Sequence, residues 1–94
     1  MEPTDFSWAL RMLKAGHAVF RAGWNGKGMS IVLVPGSTGL VVAAGLPMAK
    51  ILPVGATFNY AAHIDMKTAD GTLVPWLASQ TDVLAEDWKI IANE

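Results

Sequence analysis

The residues most able to do acid–base work are His63, Asp65 and Lys67, set at alternate positions in His63-Ile64-Asp65-Met66-Lys67. In an extended strand such spacing puts all three on one face. A His–Asp pair can move a proton, as a small hydrolase would require. No serine, threonine or cysteine stands in a nucleophile context such as G-x-S-x-G. Further ligands at metal-site spacing are also missing. A polar sheet face or a polar interface cluster is the reading these residues favour, because charge clusters are often structural.

A second stretch, Gly23-Trp24-Asn25-Gly26-Lys27-Gly28, has three glycines in six residues. Backbone N–H groups beside Lys27 could meet an anion. The phosphate-loop pattern G-x-x-x-x-G-K-[ST] is absent, and the segment leads into the apolar run Met29–Val34 rather than a helix. A plain turn is the competing reading. Trp24 offers a flat face to a purine, Asn25 offers donors and acceptors to base or ribose edges, and Arg21 stands just upstream. Tryptophan in a small protein is more often core than surface, and this chain has four: Trp8, Trp24, Trp76 and Trp88. The polar neighbours of Trp24 favour a surface.

The third stretch runs Pro75-Trp76-Leu77-Ala78-Ser79-Gln80-Thr81-Asp82, then Ala85-Glu86-Asp87-Trp88. Gln80, Thr81 and Asp82 could read a polar ligand. Ser79 and Asp82 could equally be capping residues of a short helix, and Asp87 a helix terminator.

The elements that must position these groups follow from periodicity. Phe6, Ala9, Leu10 and Leu13 repeat as one helical face, which predicts a helix over 4–15 that stops at Gly16. Strands are predicted at 17–22 and 29–34, with 40–44 a partner to the latter across a 36–39 turn. Residues 45–56, with Pro47 and Pro53, read as irregular. Segments 57–68 and 72–77 form a central hairpin around a tight Asp70-Gly71 turn, with Pro75 marking an edge or strand end. A short helix over 78–86, capped by Ser79, and a strand over 88–92 close the chain. The class is α+β, in one domain spanning 1–94: an N-terminal helix on a mostly antiparallel sheet.

Composition limits the partners. The 94 residues are 52% hydrophobic and 16% charged, against about 25% charged in an ordinary domain. So small a chain has too little interior for that apolar content, which predicts a homo-oligomer. No cysteine is present, so disulfides and thiolate zinc are excluded, and with two histidines no metal or other cofactor is expected. A net charge of −1 argues against polymeric nucleic acid as partner. The apolar stretch 31–52 is broken by prolines, glycines and Lys50, so no membrane span is expected. The acidic start Met1-Glu2-Pro3-Thr4-Asp5 is unlike a signal peptide, which points to the cytoplasm.

Taken in order, Trp24-Asn25-Gly26-Lys27-Gly28-Met29, His63-Ile64-Asp65-Met66-Lys67-Thr68-Ala69-Asp70-Gly71 and Pro75-Trp76-x-x-Ser79-Gln80-x-Asp82-x-x-Ala85-x-Asp87-Trp88 resemble a family of short phage and prophage proteins, the Thoeris anti-defence proteins of the second kind. The resemblance implies a sponge rather than an enzyme. Such a protein binds cyclic ADP-ribose isomers made by TIR-domain enzymes, and in some members cyclic di- or trinucleotides, in the cytoplasm of the infected host. It further implies a homotetramer with pockets at subunit junctions. On that basis Trp24 and Trp76 would stack on the base, with Phe6 or Trp8 closing the other face. Asn25, Gln80, Thr81 and Asp82 would satisfy ribose and base edges, and Arg21, Lys27 or His63, beside Asp65, would meet the pyrophosphate. A cyclic-nucleotide hydrolase using His63 and Asp65, or a protein-binding module, are the rival expectations.

Overall fold

A computed structural model describes residues 4–24 and 28–91. Helix α1 (Phe6–Lys14) begins where the Asp5 carboxylate accepts from the Trp8 backbone N–H at 2.9 Å. It ends in a paired C-terminal cap: Gly16 N–H donates to the Leu13 carbonyl and His17 N–H to the Met12 carbonyl, both at 3.0 Å. That cap needs the left-handed backbone that Gly16 adopts, with φ of 98°. The helix starts later than periodicity predicts because Thr4 is extended. It bridges Asp87 in parallel and accepts from Trp88 N–H at 3.1 Å.

Seven strands follow the helix: β1 (Val19–Arg21), β2 (Ser30–Val34), β3 (Ser37–Val41), β4 (Thr57–Tyr60), β5 (His63–Lys67), β6 (Leu73–Pro75) and, after helix α2 (Gln80–Leu84), β7 (Trp88–Ile90). Five of them form an antiparallel sheet in the order β6-β5-β2-β1-β7. The α+β class is therefore observed. Period-2 alternation sorts the faces. Val19, Ile31 and Trp88 join Ala9 and Leu13 of α1 in the buried core, with Ile64 and Met66 packed against them. Residues of opposite parity, among them Phe20, Val32, His63, Asp65 and Lys67, belong to the other face. Pro75, which cannot donate to a ladder, lies on an edge strand.

The 40–44 segment does not pair with β2 as expected. The neighbours of β2 are β1 and β5, and β3 pairs with β4. The chain passes through Pro35–Gly36 without turning back. Val34 faces His63 and, three residues on in each direction, Ser37 faces Tyr60. β2–β3 and β4–β5 are thus two arms of one long ribbon, bent at 35–36 and 61–62, with an irregularity between Ser37 and Leu40. The bend divides the expected 57–68 strand into β4 and β5. It also requires Gly36, because a Cβ there would lie 2.6 Å from the Tyr60 carbonyl oxygen. The ribbon tip is not wholly irregular. Val42 is buried and exchanges hydrogen bonds of 2.9 Å with Ala56 and Gly55, and Pro47–Lys50 forms a 3-10 turn.

The Asp70-Gly71 turn is broader than a two-residue hairpin turn. Gly71 N–H returns to the Thr68 carbonyl at 3.0 Å and Thr68 N–H donates to the Thr72 carbonyl at 2.8 Å. Gly71 alone of this turn has positive φ, at 92°, so the mirror-image turn that needs two such residues is ruled out. Asp70 accepts from the Thr68 hydroxyl and from Thr72 N–H, and these bonds hold its carboxyl down to about 2.

Candidate ligand-binding site

Trp88 organises the site. It is fully buried, and its strand position is fixed by pairing with Arg21. Around it stand Phe6 from α1 at 5.6 Å between ring centroids, Trp24 at 5.3 Å and Trp76 at 6.2 Å. Trp24 and Trp76 each meet Trp88 nearly at right angles, the edge-to-face geometry that ring quadrupoles favour. Phe6 also touches Trp76 at 6.1 Å. Trp24 and Trp76 are half-buried, and each packs against the buried ring of Trp88.

An ionic cluster borders these rings. Arg21 donates through Nε to Asp87 and through Nη1 to Asp82, both at 2.9 Å. The Trp24 indole N–H donates to the same Asp82 oxygen at 3.0 Å. The other Asp87 oxygen accepts from Gly23 N–H at 2.7 Å. Arg21 and Asp82 side chains are 14% and 13% exposed, so water screens this pair only partly. Burial alone would push the Asp82 carboxyl up. Hydrogen bonds from Arg21, Trp24 and Ser79 outweigh it and hold that carboxyl below the usual carboxylate range. The Arg21 hydrogen bond is the main cause of a similar lowering at Asp87, and Asp87 followed by Asp82 holds the guanidinium more firmly charged. One cation shared by two carboxylates leaves the cluster with a net charge of −1.

Asp82 sits where it does because Ser79 caps α2, its hydroxyl accepting from Asp82 N–H at 3.0 Å. Both capping and ion pairing therefore fall to residues that sequence reasoning held open between cap and ligand reader. Gln80 and Thr81, on the same short helix, are exposed. Trp8 stands apart from the aromatic group. It lies two residues and so about 200° around α1 from Phe6, and it packs against the core from its own flank.

His63 and Asp65 are not brought to this cluster. Their parity on β5 puts them on the sheet face opposite Ile64 and Met66, where His63 Nε2 lies 3.2 Å from Asp65 Oδ2. Lys67, on that same face, donates to the Gly28 carbonyl at 2.9 Å and so anchors the far end of the glycine loop. Asn25 and Lys27 lie outside the described residues.

Three contributors carried weaker signals in the sequence. Asp87 reads there as a helix terminator, yet it holds Arg21 and Gly23 together. Gly23 reads as loop glycine, yet a Cβ on it would come within 2.8 Å of Asp87 Oδ2. Trp88, grouped with the motif residues, is the buried support for the other rings.

Two comparisons bear on identity. Residues 4–91 match the model of the Thoeris anti-defense 2-like domain. A Thoeris anti-defense 2 protein of Bacillus phage SP01 is 41% identical over 88 residues, covering 94% of each chain. The matched span takes in α1, the sheet, α2 and the whole tryptophan cluster. The chain belongs to the Thoeris anti-defense 2 family and has an anti-defence role.

Proposed function

We propose that this protein binds a cyclic nucleotide immune signal, foremost a cyclic ADP-ribose isomer of the kind TIR-domain enzymes make, and sequesters it without cleavage. The observation that carries this reading is the pairing of two part-exposed tryptophans with one buried tryptophan behind them, next to a helix bearing exposed Gln80 and Thr81. Stacking on an aromatic ring is worth about 1–3 kcal/mol per base, and a rigid ring loses little freedom on binding. Arg21 is engaged by Asp82 and Asp87, so pyrophosphate is better served by Lys27 or by backbone N–H groups of the glycine loop. Retention without turnover is favoured because the His63–Asp65 pair faces away from the tryptophans.

The protein acts as a homo-oligomer, a tetramer by family likeness, with pockets at subunit junctions. In support, residues 35–62 carry one charge, Lys50, while Ile51 is 81% exposed and Val54 61%. Such a neutral apolar arm suits burial against another copy. Among the described residues no helix is long and apolar enough to cross a membrane, in keeping with action in the cytoplasm of the infected host.

The test is a thermal-shift panel of cyclic ADP-ribose isomers and cyclic dinucleotides, followed by native mass spectrometry and by heat release of retained ligand. A ligand that binds only the folded state must raise Tm. Intact ligand released from a symmetric oligomer supports the proposal. Linear products would favour a hydrolase, and a monomer with no shift from any compound would leave a protein-binding module as the better reading.

A further inference from the structure

Asp82 joins two of the site's tryptophans, Trp24 and Trp88, to Arg21 and to the start of α2. Its Oδ1 accepts from Trp24 Nε1 at 3.0 Å and from Arg21 Nη1 at 2.9 Å. Its backbone carbonyl accepts from the indole N–H of Trp88 at 3.2 Å, and its backbone N–H is held by Ser79. Arg21 passes the connection to Asp87, which grips Gly23 N–H at 2.7 Å. A Cβ on Gly23 would stand 2.8 Å from Asp87 Oδ2 and 3.2 Å from Arg21 Nη2, so a side chain there displaces the ends of those two side chains.

We propose that Asp82 and Asp87, braced by Arg21, are positioning residues of the ligand site: they fix the backbone at Gly23 and the ring of Trp24 relative to α2 before ligand arrives. The inference rests on the reading that Trp24 stacks on the ligand. The physical reason is entropic. An indole at the root of a glycine-rich loop is otherwise free to turn about two side-chain torsions. Ordering one such side chain at the moment of binding weakens Kd by about 2- to 12-fold. Charged acceptors serve well here because hydrogen bonds to ionised groups are about twice as strong as neutral ones. An acceptor on α2 also couples the stacking ring to the helix that carries Gln80 and Thr81. Ring and polar readers then keep one spacing.

The test compares wild type with Asp82→Ala, Asp82→Asn and Gly23→Ala in the full chain, by calorimetry with the cyclic ADP-ribose isomer that wild type retains. Asp82→Ala should weaken binding about 10-fold, whereas Asp82→Asn, whose amide oxygen still accepts from Trp24, should lose about threefold or less. Gly23→Ala changes an exposed loop position and keeps the protein folded even should Asp82→Ala fail to fold. It must displace Asp87 and is expected to weaken binding about fivefold. The second readout is the Trp24 indole N–H resonance in ligand-free protein. It should shift and exchange faster with water in Asp82→Ala, and return towards wild type in Asp82→Asn. Wild-type affinity in Gly23→Ala and in a folded Asp82→Ala, or an indole resonance indifferent to Asp82→Ala, overturns the positioning role. Failure of wild type to retain any cyclic nucleotide instead overturns the proposed function, and the indole readout still decides whether Asp82 orders Trp24.

Discussion

Replacing Trp24 separates two roles that this side chain fills at once. The ring supports Trp88 edge-on at 5.3 Å and 82°, and its N–H serves ionised Asp82 at 3.0 Å. The aromatic pair contributes about 0.5–1.5 kcal/mol beyond its buried area. A hydrogen bond to a charged group contributes about 1.5–3 kcal/mol. That second figure is reduced to roughly 1 kcal/mol here, because Asp82 retains Arg21 and is reached by water. With some lost burial, Trp24→Ala should cost about 2–3 kcal/mol of stability. In a domain this size that lowers Tm by about 10–20 °C, read by circular dichroism at fixed protomer concentration because oligomers melt by mass action. The variant should stay folded at 25 °C, since the buried core residues Ala9, Leu13, Val19, Ile31 and Trp88 are untouched. Loss of one base stack should then weaken cyclic ADP-ribose binding by about 1–3 kcal/mol, or roughly 5- to 150-fold. Trp24→Phe keeps an aromatic face and loses the N–H. It should give up about 1 kcal/mol of stability through the lost hydrogen bond and less affinity than the alanine variant. A Trp24→Ala protein melting within about 2 °C of wild type would refute the structural half of the reasoning. A folded Trp24→Ala protein with wild-type Kd would refute the stacking half.

Two further outcomes are expected. Gly36→Ala must push the ribbon strands apart at the bend, where Cβ would meet the Tyr60 carbonyl at 2.6 Å. It should destabilise by about 1–3 kcal/mol, and an unchanged Tm would show that the bend yields freely. Acid should weaken the protein in a defined window. Asp82 and Asp87 have folded-state values below the ordinary 3.8, so their stabilising contribution is fully present above about pH 5. It is lost as pH falls through the folded values, where both become protonated. A Tm plateau above pH 5 and a fall below pH 4 are expected, with a smaller fall in Asp82→Asn; an equal fall in both would remove the ion cluster from the explanation.

Local features were legible in the sequence because their causes are local. Asp5 and Gly16 bound α1 by capping chemistry that needs no distant partner. Ser79 opens α2 for the same reason, and alternation around Ile64 and Met66 identifies a strand with one buried face. The expected pairing of 29–34 with 40–44 failed at a point where turn residues mislead. Gly36 is there for a close approach between strands, not for a reversal, and that approach involves Tyr60 and Ala62, more than twenty residues away. The site divides in the same manner. Residue types left Trp24 between core and surface and Asp82 between cap and ligand reader. The order of the motifs along the chain carried the family resemblance, and that resemblance implied ligand roles for Trp24, Trp76, Arg21 and Asp82. Which of them support one another depends on separations of 58 to 66 residues, as in Trp24–Asp82 and Arg21–Asp87. Pattern within one stretch holds no record of such distances. The tertiary structure alone decided that Trp88 is the buried support, that Arg21 is shared by two carboxylates, and that His63 and Asp65 lie on the other face of the sheet. Caps, periodicity and residue type act over a few residues, so by themselves they made α1, α2 and the strands of the five-stranded sheet legible, but not β3, which occupies the expected 36–39 turn, or the division of 57–68 into β4 and β5. Only the fold decided which of their residues meet, because strand order and register set contacts between residues far apart in the chain.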